Sequence, residues 1–161
     1  MIRKFEPSDM NRVCSLVREH AKEAGVDQHL PVDDVFFTKT VRQILMNPAN
    51  HCFVAEQDGT IIGYSLVGLI TKLWNPTLYG DVYFFYIHNS VRNKYIADSL
   101  FAETVKVCKE AGAGWMEWSV SLFDKEFRGV TPYIERASAY FEHKGAEPCG
   151  EIFVYDLEDR R

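Results

Sequence analysis

The segment Ile87-His88-Asn89-Ser90-Val91-Arg92-Asn93-Lys94-Tyr95-Ile96-Ala97 carries the spacing most suggestive of chemistry in this chain. An apolar run ends at Ile87, two cations follow at Arg92 and Lys94, and a helical period starts at Asn93. A helix beginning there offers unbonded peptide N–H groups and the positive end of its dipole, which together make an anion site. The competing reading of Arg92 and Lys94 is a pair of solvated loop charges. A second feature is Asp81, at the mouth of the apolar run Val82-Tyr83-Phe84-Phe85-Tyr86-Ile87. Burial at such a place strips a carboxylate of water and raises its pKa, the direction a base near neutral pH requires. Its alternative is a turn residue after Gly80. Tyr83, two residues on, shares a strand face with Asp81.

Other reactive residues show no ligand spacing. His20, His29, His51, His88 and His143 contain no His-x-x-x-His pair, and Cys14, Cys52, Cys108 and Cys149 match no zinc or redox motif. A metal site is not expected, and the thiols are expected to be reduced and buried. Neither a Gly-x-Ser-x-Gly elbow nor a phosphate-binding P-loop is present. Trp115 and Trp118 fall on opposite faces of their strand, one in the core and one under a helix.

These groups must be positioned by regular elements. Residues 2–5 read as a short strand. Pro7-Ser8-Asp9 is a helix-start signal with Ser8 as N-cap, followed by the stripe Val13, Leu16, Val17, His20, Ala21, Ala24 and a stop at Gly25. A second helix is expected from Val32 to Met46, with Val35, Phe36, Val41, Ile44 and Leu45 as its apolar set. Cys52–Glu56 is a strand, Asp58-Gly59 a hairpin turn, and Thr60–Leu73 the return strand. Asn75-Pro76 reads as the start of a loop, and Asp81–His88 as a central strand covered on both faces. Ala97, Leu100, Phe101, Thr104, Cys108 and Ala111 form a helical stripe within Asn93–Ala111. A strand from Trp115 to Val120, a helix from Thr131-Pro132 to Gly145 and a strand from Ile152 to Leu157 complete the chain. The order β-α-α-β-β-β-α-β-α-β describes an α/β domain with a mixed sheet, because hairpins join the middle strands and helical crossovers the later ones.

Composition agrees with one globular domain over residues 1–161. The chain is 47% hydrophobic and 25% charged, with 14% aromatics, an ordinary balance for a packed domain. The net charge of −5 disfavours a nucleic-acid or membrane-surface partner. No signal-peptide pattern opens the sequence and no apolar run approaches a membrane span. A cytoplasmic location is expected, with a virion assembled in the cytoplasm as the alternative.

The element order, with the strand–loop–helix at Tyr86–Ala111 and the closing helix and strand at Tyr133–Leu157, resembles the GNAT N-acetyltransferase superfamily over nearly the whole chain. The resemblance implies a GNAT-like fold and acetyl transfer from acetyl-CoA to a primary amine of a small molecule or protein. It implies that the Arg92–Ala97 loop holds the coenzyme A pyrophosphate through Arg92, Asn93, Lys94, Tyr95, Ile96 and Ala97. The family pattern is Arg/Gln-x-x-Gly-x-Gly/Ala: Arg92 and Ala97 match it, whereas Tyr95 stands at a glycine position and Asn93 at another often held by glycine. Peptide N–H groups around Tyr86 and Ile87 would polarise the thioester carbonyl. Asp81 would act as base, Tyr83 would contact the acceptor, and Tyr140 is the candidate acid, although the family position falls on Phe141. The departures at Asn93, Tyr95 and Phe141 point to an alternative: a noncatalytic GNAT-fold binding or structural protein, such as some phage-encoded members that serve in the particle or act against host proteins. Phe123 and Phe127, among the charges of residues 123–130, either contact a protein partner or a second copy of the chain, or fold back onto the core.

Overall fold

The structure, a computed structural model, describes residues 1–24, 32–118 and 132–147. Five strands form one sheet in sequence order: β1 (Ile2–Lys4), β2 (Asn50–Gln57), β3 (Thr60–Lys72), β4 (Asn75–Ile87) and β5 (Trp115–Trp118). Each neighbouring pair among the first four is antiparallel, and β5 runs parallel to β4 with Asp81 opposite Glu117 and Val82 opposite Trp118. A parallel pair needs a long crossover; α3 (Lys94–Glu110) supplies it. Helices α1 (Met10–Glu23) and α2 (Asp34–Met46) pack on the opposite face, and α4 (Pro132–His143) follows β5. This is the mixed α/β architecture expected from the sequence. The proposed strand Ile152–Leu157 and the loop holding Phe123 and Phe127 lie outside the described residues.

Local chemistry accounts for most element boundaries. Asp58 and Gly59 both adopt positive φ (50° and 73°), the geometry of a two-residue hairpin turn whose twist matches its strands. Asn93 caps α3: its side-chain oxygen accepts the Ile96 N–H at 3.0 Å. The start of α1 differs from expectation. Ser8 does not cap it; residues Pro7–Asp9 form a 3-10 turn closed by reciprocal bonds between Glu6 and Asp9. Asp9 also binds Arg3 through both oxygens, at 2.7 and 2.9 Å. That pairing ties β1 to α1 and holds the Asp9 carboxyl below its usual range.

Two further expectations are corrected. Asn75-Pro76 does not open a loop: β4 begins at Asn75, after the two-residue tip Leu73-Trp74. Proline survives there because the β3–β4 register shifts between Thr71 and Lys72, so no ladder bond is asked of Pro76. Val35 and Phe36 are not core residues of α2. They are 81% and 69% exposed, whereas Val41 and Leu45 are buried. Asp33 caps the helix by accepting the N–H groups of Val35 and Phe36, and this first turn carries both side chains on the surface. Cys52 and Cys108 are buried free thiols and Cys14 a half-buried one; Cys149 is outside the described residues. Among the described residues no helix is long and apolar enough to cross a membrane, and no group of three or more His, Cys, Asp or Glu side chains is placed to hold a metal.

Candidate active site

A cavity of about 800 Å³ opens alongside the C-terminal half of β4. Its walls are the last turns of α1 (His20, Ala21, Glu23, Ala24), β4 from Val82 to Ile87, and the head of α3 with the loop before it (Arg92, Asn93, Lys94, Ala97). Trp118 of β5 and Arg136, Ala137, Tyr140 and Phe141 of α4 close the remaining side. A bulge in β4 shapes this wall. Leu66 faces Phe84 and Val67 faces Val82, which leaves Tyr83 as an extra residue. Such bulges bend a strand and re-aim its side chains. The Tyr83 ring lies over Gly68, where any Cβ would collide with it.

Peptide groups on β4 are aimed by strand alternation. The His88 N–H donates to the Ile62 carbonyl of β3 at 2.8 Å. Successive N–H groups of a strand point to opposite sides, so the Ile87 N–H faces away from β3, toward the cavity side. The Tyr86 N–H faces β3. What Tyr86 brings to the site is its ring and its hydroxyl, which donates to Glu23 Oε2 at 3.0 Å. Burial, followed by the Glu23 charge, raises the Tyr86 pKa.

At the head of α3, Arg92 donates from Nε to the Ile87 carbonyl at 3.0 Å and from its outer nitrogen to Glu23 Oε1 at 2.8 Å. Tyr95 is 85% exposed, so its ring points to solvent instead of filling the loop. Ile96 packs in the core with Ile87. Neither Tyr95 nor Ile96 lines the cavity, whereas Asn93, Lys94 and Ala97 do. The N–H groups of Lys94 and Tyr95 have no acceptor among the described residues, as expected for the first turn of a helix.

Asp81 does not line the cavity; it precedes Tyr83 by two residues on β4, opposite Gly68 of β3 and Glu117 of β5. Burial first, and then the charge of Glu117, raise its pKa; Lys72, which forms an ion pair with Glu117 at 2.7 Å, acts the other way. Tyr83 also has its pKa raised, by burial and then by the Asp81 charge. Tyr140 lines the cavity with its ring, but its hydroxyl donates to Asp98 Oδ1 at 3.1 Å. Lys144 pairs with the same carboxylate at 2.7 Å, tying α4 to α3. Phe141 packs on Trp118 with ring centres 4.4 Å apart.

Sequence reasoning did not single out Glu23 or the role of His20. His20 stacks on Tyr86 with ring centres 4.7 Å apart, and its Nδ1 lies 3.3 Å from the Tyr64 hydroxyl. Burial pushes its pKa down to about 4, so its imidazole is neutral near pH 7. The available signal was a histidine inside the apolar stripe of α1 with a carboxylate one turn later.

A family model described as acetyltransferase (GNAT) family matches residues 14–127. The chain belongs to the GNAT acetyltransferase family. Solved structures of the same fold include a predicted acetyltransferase from Clostridium acetobutylicum with acetyl-CoA, at 19% identity and TM-score 0.73, covering 99% of this chain and 97% of that one. A ribosomal-protein-alanine N-acetyltransferase from Brucella melitensis biovar Abortus 2308 matches at 16% identity and TM-score 0.69, over 98% and 99% of the two chains. An aminoglycoside acetyltransferase from an uncultured soil metagenomic sample, in complex with sisomicin, matches at 16% identity and TM-score 0.69, over 98% and 95%. No curated protein matches the sequence significantly. Members of the GNAT family use acetyl-CoA.

Proposed function

We propose that this GNAT protein transfers an acetyl group from acetyl-CoA to a primary amine of a small molecule or a protein. The observation that carries the reading is the cavity beside β4, which joins the peptide N–H of Ile87 to the N-terminus of α3. The residues present fit the donor. The N–H groups of Lys94 and Tyr95, with the side chains of Arg92 and Lys94, suit a pyrophosphate, and the outward Tyr95 ring leaves the approach open. Acetyl-CoA supplies the activated acyl group when bound. The Ile87 N–H then suits a developing oxyanion on the acyl carbonyl, a fixed dipole that needs no reorganisation.

Asp81 is the base of this reading, taking the amine proton through water; its raised pKa is the useful direction. Tyr83 lines the cavity and contacts the acceptor. Tyr140 serves as acid only by exchanging its bond to Asp98, so positioning and the Ile87 N–H carry more of the catalysis than proton donation does. The acceptor class is supported by relatives whose substrates are a protein alanine and an aminoglycoside.

Calorimetric titration with acetyl-CoA, followed by a thiol-release assay over a panel of primary amines, tests the reading. Saturable binding and amine-dependent release of coenzyme A are expected. Absence of any binding would leave a noncatalytic role for the fold.

A further inference from the structure

The cation at the head of α3 is already held by a carboxylate from the opposite wall of the cavity. Arg92 and Glu23, 69 residues apart in sequence, meet at 2.8 Å. The Arg92 guanidinium also lies 5.6 Å from the centre of the Tyr86 ring, and the Tyr86 hydroxyl holds the second oxygen of Glu23 at 3.0 Å. Among the described residues that line the cavity, Glu23 is the only carboxylate. Acetyl transfer to an amine brings a phosphate-bearing donor and an acceptor that is an ammonium ion in neutral water into this one space. Each of the two ligands is complementary to one half of the pair.

We propose that Arg92 and Glu23 form an exchange pair: the donor's phosphate takes Arg92, and the acceptor's ammonium group takes the Glu23 carboxylate that is released. This rests on the acetyl-transfer reading above and deepens it by assigning the acceptor to cationic amines. Before the donor binds, Glu23 is neutralised by Arg92, so an ammonium ion finds little attraction there. Once a phosphate engages the guanidinium, Glu23 is left with the Tyr86 hydroxyl, which keeps it facing the cavity. Donor and acceptor binding are therefore coupled, and by thermodynamic reciprocity each strengthens the other by the same factor.

The test is a coenzyme A titration of the intact chain and of Glu23→Gln, Arg92→Gln and the double variant. Glu23→Gln is expected to bind coenzyme A about 2- to 5-fold tighter, the range for release from a solvent-accessible ion pair. Arg92→Gln is expected to bind about 10-fold more weakly, and Glu23→Gln to give no gain in that background. With 1,5-diaminopentane as cation probe, binding to the wild type is expected to tighten when coenzyme A is present, and this gain is expected to vanish in Glu23→Gln. An unchanged or weaker coenzyme A affinity in folded Glu23→Gln overturns the pair while the acetyl-transfer reading stands. So does a gain that persists with Arg92→Gln, because it reports only net charge. If no variant binds coenzyme A, both readings fall. Should Glu23→Gln lose its cooperative melt, the nitrogen-15 signal of the Arg92 guanidinium in the wild type decides: it moves on coenzyme A addition if the pair exchanges, and stays if it does not.

Discussion

The two faces of the sheet are built from different materials. On one, α3 lays Leu100, Val107 and Cys108 against Phe53, Ile62, Val67, Val82 and Ile87. The buried polar contact there is self-contained: the Thr104 hydroxyl donates to the Leu100 carbonyl at 2.9 Å and accepts from Ser65 at 2.7 Å. On the other, α1 starts apolar with Val13, Leu16 and Val17, then brings His20 and Glu23 against Tyr64, Phe84 and Tyr86. The patch under the middle of α3 is thus closed, and its contacts only stabilise, whereas the end of α1 and the head of α3 border the cavity, where polar groups are held by each other. Polar side chains beside a cavity can exchange partners with a ligand; those under α3 cannot do so without unfolding.

That contrast can be broken most sharply at Asp81. Asp81→Asn is expected to lower kcat by about 10²–10⁴-fold, the range for a lost general base, with coenzyme A affinity nearly unchanged. The raised pKa of Asp81 also fixes a stability sign. A carboxyl whose folded pKa lies above its unfolded value costs stability once ionised, so the variant should melt at the same temperature or higher. A full-activity variant would remove Asp81 from the mechanism, and one that melts lower would give it a structural role within β4, where it lies between Gly68 and Glu117 instead of ending a turn.

Leu100→Ala probes the closed patch. Leu100 is fully buried, and truncation should cost about 2–5 kcal/mol in denaturant unfolding. If the division between this patch and the cavity border is real, coenzyme A affinity at low temperature stays within about 2-fold, because the change leaves every cavity-lining group in place.

His20 gives the cavity border a pH signature. Its folded pKa of about 4 lies below the ordinary value of 6.5. The neutral imidazole therefore contributes its full stability above pH 6.5, and that contribution is lost as pH falls from 6.5 through about 4. The loss is at most about 3 kcal/mol. His20→Gln should flatten this limb of a stability-against-pH curve, whereas His51→Gln, where burial is slighter, should change it less.

The smallest effect is expected at Thr104. Thr104→Val leaves the buried Ser65 hydroxyl without its acceptor and should cost about 1–3 kcal/mol. Adding Ser65→Ala should recover part of that loss. Additive destabilisation in the double variant would mean that the two hydroxyls are not coupled.

Much of the fold was legible because its signals are local. The helical period that starts at Asn93 marks α3, and Asp58-Gly59 turns the β2–β3 hairpin through its own φ angles. The run after Asp81 is apolar because the two core clusters cover both faces of β4 there, while among the described residues β5 flanks it only as far as Val82. Expectations failed where a local signal met a nonlocal exception. Asn75-Pro76 has turn chemistry, yet a register shift against β3 accommodates it within β4. Val35 and Phe36 have core chemistry, yet they stand on the exposed first turn of α2. The cavity-lining half of the site was read from the strand–loop–helix around Arg92, whereas Glu23 escaped notice because a glutamate near a helix end is an ordinary surface residue until its partners are known.

By itself, then, the sequence determined the hairpin turn, the alternation of strands and helices, and the cationic head of α3. Each follows from backbone sterics and hydrogen bonding within a few residues. Tertiary structure alone decided where β4 bulges, that Tyr95 points to solvent, and that Glu23 closes on Arg92 across 69 residues. The cost of burying a charge depends on which distant partner arrives beside it, and that is a property of the packed chain.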